Sequence, residues 1–404
     1  MKSLKYDRSM KKYYSLLILL FALLLEPLHS QSLLHSDTLF LKTGHQQFSF
    51  DLESSEYSEL KLYLYIHLHE GCNFQSGEFI SLQMDNQYQG SEIEKVEFAR
   101  VYLPSYLENK HTYQEIIYKF DMILWQKWLI NKPTITLAFS GNAYHLQASL
   151  SLEIEKGSTP VNVLDIIPLW QNDIQGFPYE SDGNDEMSTG NQLPKLQIQL
   201  PKETSNAFVN ILISGHQEHL GKNQQTNKFY FLKIDGQDVA KRSIWRNDCG
   251  FNPIYPQHEN WHDERPNWCP GLRVNPMSHF LSDKFIAKKQ LEISLDFQKT
   301  FKETGLRNSY ITSAVIFALS SASEKLNVSV TEIMAPNMDL WHHRYNPICG
   351  SPIILIQNNG QETVHSITFN YGYNFQTDNK YRWKGELEFM EEELVYLPSL
   401  NWYF

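Results

Sequence analysis

Glu78 and Glu218 stand in short polar stretches beside aromatic or histidine residues, Ser76-Gly77-Glu78-Phe79 and His216-Gln217-Glu218-His219. A carboxylate so placed can activate water or protonate a leaving group. Its plainer role is a solvated charge at a strand end. Arg265 and Trp268 lie three apart in Asp263-Glu264-Arg265-Pro266-Asn267-Trp268-Cys269. A guanidinium offers five hydrogen-bond donors, and an indole offers a flat apolar face for a sugar ring. The structural alternatives are an Arg265 salt bridge to Asp263 or Glu264, worth at most about 1 kcal/mol if exposed, and tryptophans (Trp261 above all) buried to hold their own loop. His67 and His69 share one face of a strand, since alternate residues point the same way. A metal needs three or four ligands, and His342-His343 is distant in sequence. No metal and no cofactor are therefore expected, and half-buried strand histidines are the reading adopted.

The loop that must hold Arg265 and Trp268 is Trp245–Gly271, with three tryptophans, four prolines and two of the four cysteines. That composition rules out a helix or a plain strand. Four cysteines allow three pairings. Cys249 with Cys269 is the expected disulfide, because the two flank this loop. Cys72 and Cys349 either pair with each other or stay reduced.

The chain has 404 residues, enough for two or three domains. Its 22 Tyr and 23 Phe favour β-structure. A net charge of -11 gives nucleic-acid binding no electrostatic support. Lys11 and Lys12 precede the apolar run Leu16–Leu25, which ends at Glu26-Pro27, with Ser30 at a cleavage position. This is the layout of a secretory signal, too short to span a bilayer. Residues 1–30 are expected to be removed, and the mature chain is expected outside the cytoplasm with no transmembrane segment.

Residues 31–157 read as strands, with Leu60–His69, Ile135–Phe139 and the alternating Leu146–Glu155. Phe120–Ile130 reads as a strand end and a helical turn. Gly157-Ser-Thr-Pro160 is a linker signal. A second strand series fills 158–323, with Asp235-Gly236 as a hairpin turn, and the polar run Ser181–Leu193 as a loop. A third unit covers 324–404. Its run NPICGSPIILIQNNG…YRWKGELEFM resembles an immunoglobulin-like module common near the end of secreted Bacteroidetes proteins, here expected to be incomplete.

Between Val163 and Leu319 the runs IIPLWQ…GFPYE, IQLPKETSNAFVNILISGH and DCGFNPI…DERPNWCPG resemble the peptide-N-glycosidase F family in order and spacing. The resemblance implies an all-β fold of two tandem eight-stranded antiparallel jelly-roll sandwiches, here followed by the partial immunoglobulin-like sandwich. Copper-dependent peptide-hydroxylating monooxygenases share that architecture. The family's activity is hydrolysis of the amide between asparagine and an N-glycan. Its catalytic Asp position falls on Ser76 or Gly77, and its supporting Glu positions on Phe139–Ser140 and near Gln224. Glu78 and Glu218 are then the candidate catalytic residues, and Arg265, Trp268 and His216 the candidate substrate-binding residues. The reading is of an exported protein that engages N-glycans or glycopeptides with its catalytic carboxylates lost. The alternatives are an active amidase and, third, a copper monooxygenase-like oxidoreductase.

Overall fold

The computed structural model describes residues 32–35, 39–41, 44–50, 52, 56–68, 74, 77–89, 91–105, 115–130, 134–141, 146–171, 177–179, 193–217, 229–258, 260–298, 308–346, 351–372 and 379–399. The expected signal segment, Cys72, Cys349, Glu218, His69 and Ser76 lie outside them.

The first sandwich contains β1 (Ser32–His35), β2 (Leu39–Leu41), β3 (Gly44–Ser49), β4 (Tyr57–His67), β5 (Phe79–Asp85), β6 (Lys95–Tyr102), β7 (Glu115–Asp121), β8 (Thr134–Phe139) and β9 (Leu146–Lys156). One sheet runs β1-β9-β4-β7, with β2 following β1 along β9, and the other runs β3-β8-β5-β6. Since β1 and β2 share one neighbour, the nine strands fill eight positions. In β4, Leu60, Leu62, Leu64 and Ile66 are buried while Lys61, Tyr63, Tyr65 and His67 are half-buried. That alternation is what the two-residue repeat of a strand requires. After β7 the chain makes the short helical turns Ile123–Trp125 and Gln126–Leu129.

The second sandwich contains β10 (Val163–Gln171), β11 (Phe177–Tyr179), β12 (Leu196–Gln199), β13 (Asn206–Gln217), β14 (Phe229–Ile234), β15 (Gln237–Ser243), β16 (Met277–Phe280), β17 (Gln290–Phe297) and β18 (Asn308–Leu319). Its sheets run β10-β18-β13-β16, with β11 also on β18, and β12-β17-β14-β15. Asp235 and Gly236 both take positive φ, 51° and 74°, in the two-residue turn between β14 and β15. Such a turn matches the twist of the strands it joins.

β13 and β18 read as near-continuous apolar runs because both faces are covered. In β18, Ala314, Ile316 and Ala318 face the sandwich's own core. Val315, Phe317 and Leu319 instead join the core of the first sandwich. Trp125 from the helical turn meets Phe317 edge-on, with ring centres 5.2 Å apart. The two sandwiches therefore share one apolar seam rather than touching at a polar rim.

The third unit has β19 (Val328–Ala335), β20 (Ile353–Asn358), β21 (Val364–Tyr371), β22 (Asn379–Leu387) and β23 (Glu392–Tyr396). They form a three-stranded sheet, β19-β20-β23, and a two-stranded one, β21-β22, around Ile356, Trp383, Leu387 and Val395. The unit is docked on the first sandwich. The Trp341 indole donates to the Ile117 carbonyl at 2.6 Å, and Lys119 pairs with Glu332 at 3.3 Å.

Candidate functional site

The loop 245–271 is closed by the disulfide Cys249–Cys269. It docks on β13, where Gly215 N–H donates to the Pro266 carbonyl at 2.9 Å and the Asn267 amide donates to the Ile213 carbonyl at 2.7 Å. A β-carbon on Gly215 would come within 2.7 Å of Pro266 and 3.0 Å of Tyr310, so only glycine allows this approach. The chain leaving the loop pairs with β6 of the first sandwich through Tyr102 N–H to Leu272, Gly271 N–H to Tyr102 and Val274 N–H to Arg100. The loop thus bridges the two sandwiches at their junction.

Trp268 is buried there at 7 % exposure and donates its indole N–H to the Gly215 carbonyl at 2.8 Å. The Tyr102 ring stacks on it, 4.4 Å between centres and 21° between planes. The Arg265 guanidinium also lies over it, 4.7 Å from the ring centre. The Phe79 ring packs on Tyr102 at a tilt of 49°, with ring centres 5.4 Å apart. With Tyr102 and Arg265 covering it, the Trp268 ring is a platform for Arg265 within the protein. Packing accounts for its place in the loop. Arg265 is half-buried and donates to the Asn260 carbonyl at 2.8 Å, and the Glu264 carboxylate accepts from the Trp245 indole at 2.8 Å. Trp261 is half-buried and edge-on to the exposed His262.

Glu78 is half-buried immediately before β5. Its carboxylate occupies the space that Gly141 leaves open, where any β-carbon would overlap it. Beside it, Ser140 ties down the neighbouring residue: Phe79 N–H donates to the Ser140 hydroxyl at 2.8 Å, and Ser140 N–H donates to the Phe79 carbonyl at 3.0 Å. Glu78 precedes Phe79 in the chain, and it is the Phe79 ring that meets Tyr102, the ring stacked on Trp268. Glu218 lies outside the described residues. His216 lies on β13 in register with Ser309.

A second carboxylate near this stack was not singled out from sequence. Glu97 and Arg100 are three apart in β6, which would put them on opposite faces of a regular strand. The register with β5 runs Leu82 to Ala99 and then Gln83 to Glu97, so Phe98 is an extra residue. This bulge turns both side chains into the seam. Arg100, with no exposed surface, donates to both Glu97 oxygens, to the Ser214 hydroxyl at 2.7 Å and to the Ile311 carbonyl at 3.0 Å. Ser313 also donates to Glu97. Burial alone would lower the Arg100 guanidinium, but Glu97 outweighs it and holds Arg100 above its ordinary value. Burial raises the Tyr102 phenol, which donates to Ser214 at 2.7 Å. The signal in the sequence is two charges, Glu97 and Arg100, inside the otherwise apolar run Val96–Tyr102, which must find partners once buried.

The histidine pair expected to remain structural is described at His67 alone. Its Nδ1 is 3.0 Å from Glu115 and its Nε2 is 3.2 Å from Ser149, so both ring nitrogens are engaged by neighbouring strands. His342 pairs with Glu332 at 3.0 Å. Among the described residues no group of three His, Cys, Asp or Glu is placed to hold a metal ion. No helix among them is long and apolar enough to cross a membrane.

The family profile described as peptide-N-glycosidase F, C terminal, matches residues 184–317. No curated protein sequence matches the chain. Among solved structures, PNGase F from Flavobacterium meningosepticum, described as a glycosylasparaginase, is similar at 17% identity and a TM-score of 0.60, over 72% of this chain and 96% of that one. A peptide-N(4)-(N-acetyl-β-D-glucosaminyl)asparagine amidase gives 17% identity and 0.61 over the same shares. PNGF-II gives 15% identity and 0.55, over 72% of this chain and 62% of its own. At these identities the likeness to solved structures shows the fold.

Proposed function

We propose that this chain, whose residues 184–317 match the peptide-N-glycosidase F C-terminal family and whose fold is that of peptide-N-glycosidase F, is an exported protein that binds N-glycans or glycopeptides at the sandwich junction without cleaving them. Arg265 is the residue assigned to the glycan hydroxyls, with Trp268 holding it from below. The disulfide in the same loop supports export, since such bonds persist in oxidising compartments.

The observation that carries the non-catalytic reading is the fate of the carboxylate positions. Ser140 stands where the resemblance implies a Glu, and its hydroxyl is occupied by the Phe79 backbone. Glu97, the buried acid of the junction, is held by Arg100 and Ser313. Both of its oxygens accept from Arg100, one also from Ser313, and the side chain is buried, so neither oxygen is presented to a substrate.

One observation favours the second reading, an active amidase. The Glu78 carboxylate is seated in a space kept open by Gly141, one residue before Phe79 of the aromatic cluster. The test is retention of the mature chain on immobilised N-glycopeptide. Binding that Arg265→Ala weakens about 10-fold or more, the cost of losing one good polar contact, supports the assignment. Equal retention of the variant removes Arg265 from the site.

A further inference from the structure

The disulfide-closed loop has a second side, turned away from Trp268. There it meets the first sandwich and the third unit around a cavity of about 420 Å³, within the size range of small-molecule sites. Three separate parts of the chain build its wall. Phe251 comes from the disulfide loop, Tyr118 from β7 and Glu392 from β23.

Five cationic and five carboxylate side chains line the cavity. Several are already matched: Arg246 bonds Asp248, and Lys119 and His342 both bond Glu332. Arg273 and Glu392 take part in no ion pair among the described residues. Arg273 gives one hydrogen bond, to the Lys119 carbonyl at 2.8 Å. Both side chains are exposed and line the cavity. The surrounding protein lowers the Arg273 guanidinium, against the pull of Glu332 and Glu392, and raises the Glu392 carboxyl, which Asp121 raises further and Arg273 lowers. At the mouth, Arg344 lies 5.5 Å from the Phe251 ring centre and 4.7 Å from that of Tyr345. Phe251 is 68 % exposed, the largest aromatic exposure on the wall.

A guanidinium and a carboxylate that feel each other's charge without bonding leave donors and an acceptor facing one cavity, which suits a ligand whose groups both donate and accept hydrogen bonds. A sugar hydroxyl does this, accepting from a guanidinium and donating to a carboxylate. An ionic ligand would meet as many like charges as opposite ones, at a cost that such balance cannot offset. An exposed aromatic ring at the mouth supplies the apolar face that a pyranose ring presses against. We propose that this cavity is a second carbohydrate site, which takes a neutral oligosaccharide with one sugar ring against Phe251 and hydroxyls between Arg273 and Glu392. Because all three units contribute to the wall, the ligand would also fasten the third unit to the sandwiches.

The test is calorimetric titration of the full mature chain with free N,N′-diacetylchitobiose and mannotriose, beside sialyllactose as an anionic probe and chitosan dimer as a cationic one. The expected result is binding of a neutral sugar, weakened 10-fold or more by Phe251→Ala and by the isosteric Glu392→Gln, with both variants keeping the parent's thermal midpoint. Preference for either charged probe, no binding of a neutral sugar, or binding that both variants retain would overturn the proposal; the last outcome would place the sugar elsewhere. Retention on N-glycopeptide that depends on Arg265 is a separate readout, so either site can fail alone.

Discussion

The guanidinium of Arg265 lies 4.7 Å from the centre of the Trp268 ring, a ring that Tyr102 of the other sandwich also covers. The two residues touch but do different work. Trp268 spends its ring and its N–H on the protein, and Arg265 keeps the polar edge of the junction. Trp268→Ala should therefore cost about 3–5 kcal/mol of stability, as large buried aromatics do, and lose glycopeptide binding with it. Arg265→Ala should lose binding with a much smaller fall in the denaturant midpoint. Equal stability losses in the two variants would remove this division of roles.

Glu97 and Arg100 should behave as a buried pair at the seam. Breaking it with Glu97→Gln leaves a guanidinium without its partner and is expected to cost about 3–5 kcal/mol. Replacing both with methionine should recover much of that loss, since the hydrophobic pair needs no compensation. Denaturant unfolding of the single and double variants measures both. A single variant no less stable than the parent would contradict the buried-pair account.

The pH dependence of stability should carry the mark of His279. It lies at 5 % exposure, 2.5 Å from the Tyr230 hydroxyl, and burial, helped by the charge of Arg242, lowers it from 6.5 to about 4. The unfolded chain binds a proton near 6.5 and the folded chain only near 4. Stability from this group is full above pH 6.5 and is lost as pH falls through the window between those values, on the order of 3 kcal/mol in all. Glu332 acts lower. The His342 hydrogen bond, aided by Lys119, holds it at about 2 against an ordinary 4.5, so its contribution is present above 4.5 and is lost as pH falls towards 2. His279→Gln should flatten the upper part of the curve and Glu332→Gln the lower part, read by unfolding at a series of pH values.

The disulfide should support both sides of its loop. Cys249→Ser with Cys269→Ser opens a loop with a sequence separation of 20 and is expected to cost about 3 kcal/mol in the chain-entropy model. Glycopeptide retention should fall in the same variant, because Arg265 sits between the two cysteines. Retention unchanged after the loss of the bond would mean that the docking to Ile213 and Gly215 alone fixes Arg265.

Much of this was legible in the chain. The alternation of β4 and β9, the Asp235-Gly236 turn and the cysteines flanking 245–271 each carry a local signal, and the structure has a strand, a turn and a disulfide there. The burial of Trp268 depends on Tyr102, more than 160 positions away in sequence, and no local pattern announces such a contact. The same holds for β18, whose alternate residues serve two different cores. The facing of Glu97 and Arg100 depends on a one-residue bulge, which a repeat of two conceals. Whether the third unit docks was likewise open in the sequence, because it rests on single contacts such as Trp341 with Ile117.

The most direct measurement is release of glycan from a denatured N-glycoprotein by the purified mature chain, beside a Glu78→Gln, Glu218→Gln double variant. The account predicts no release by either protein, with retention of both on immobilised N-glycopeptide. Release by the parent chain that the double variant loses would contradict it and make this an amidase with relocated acids.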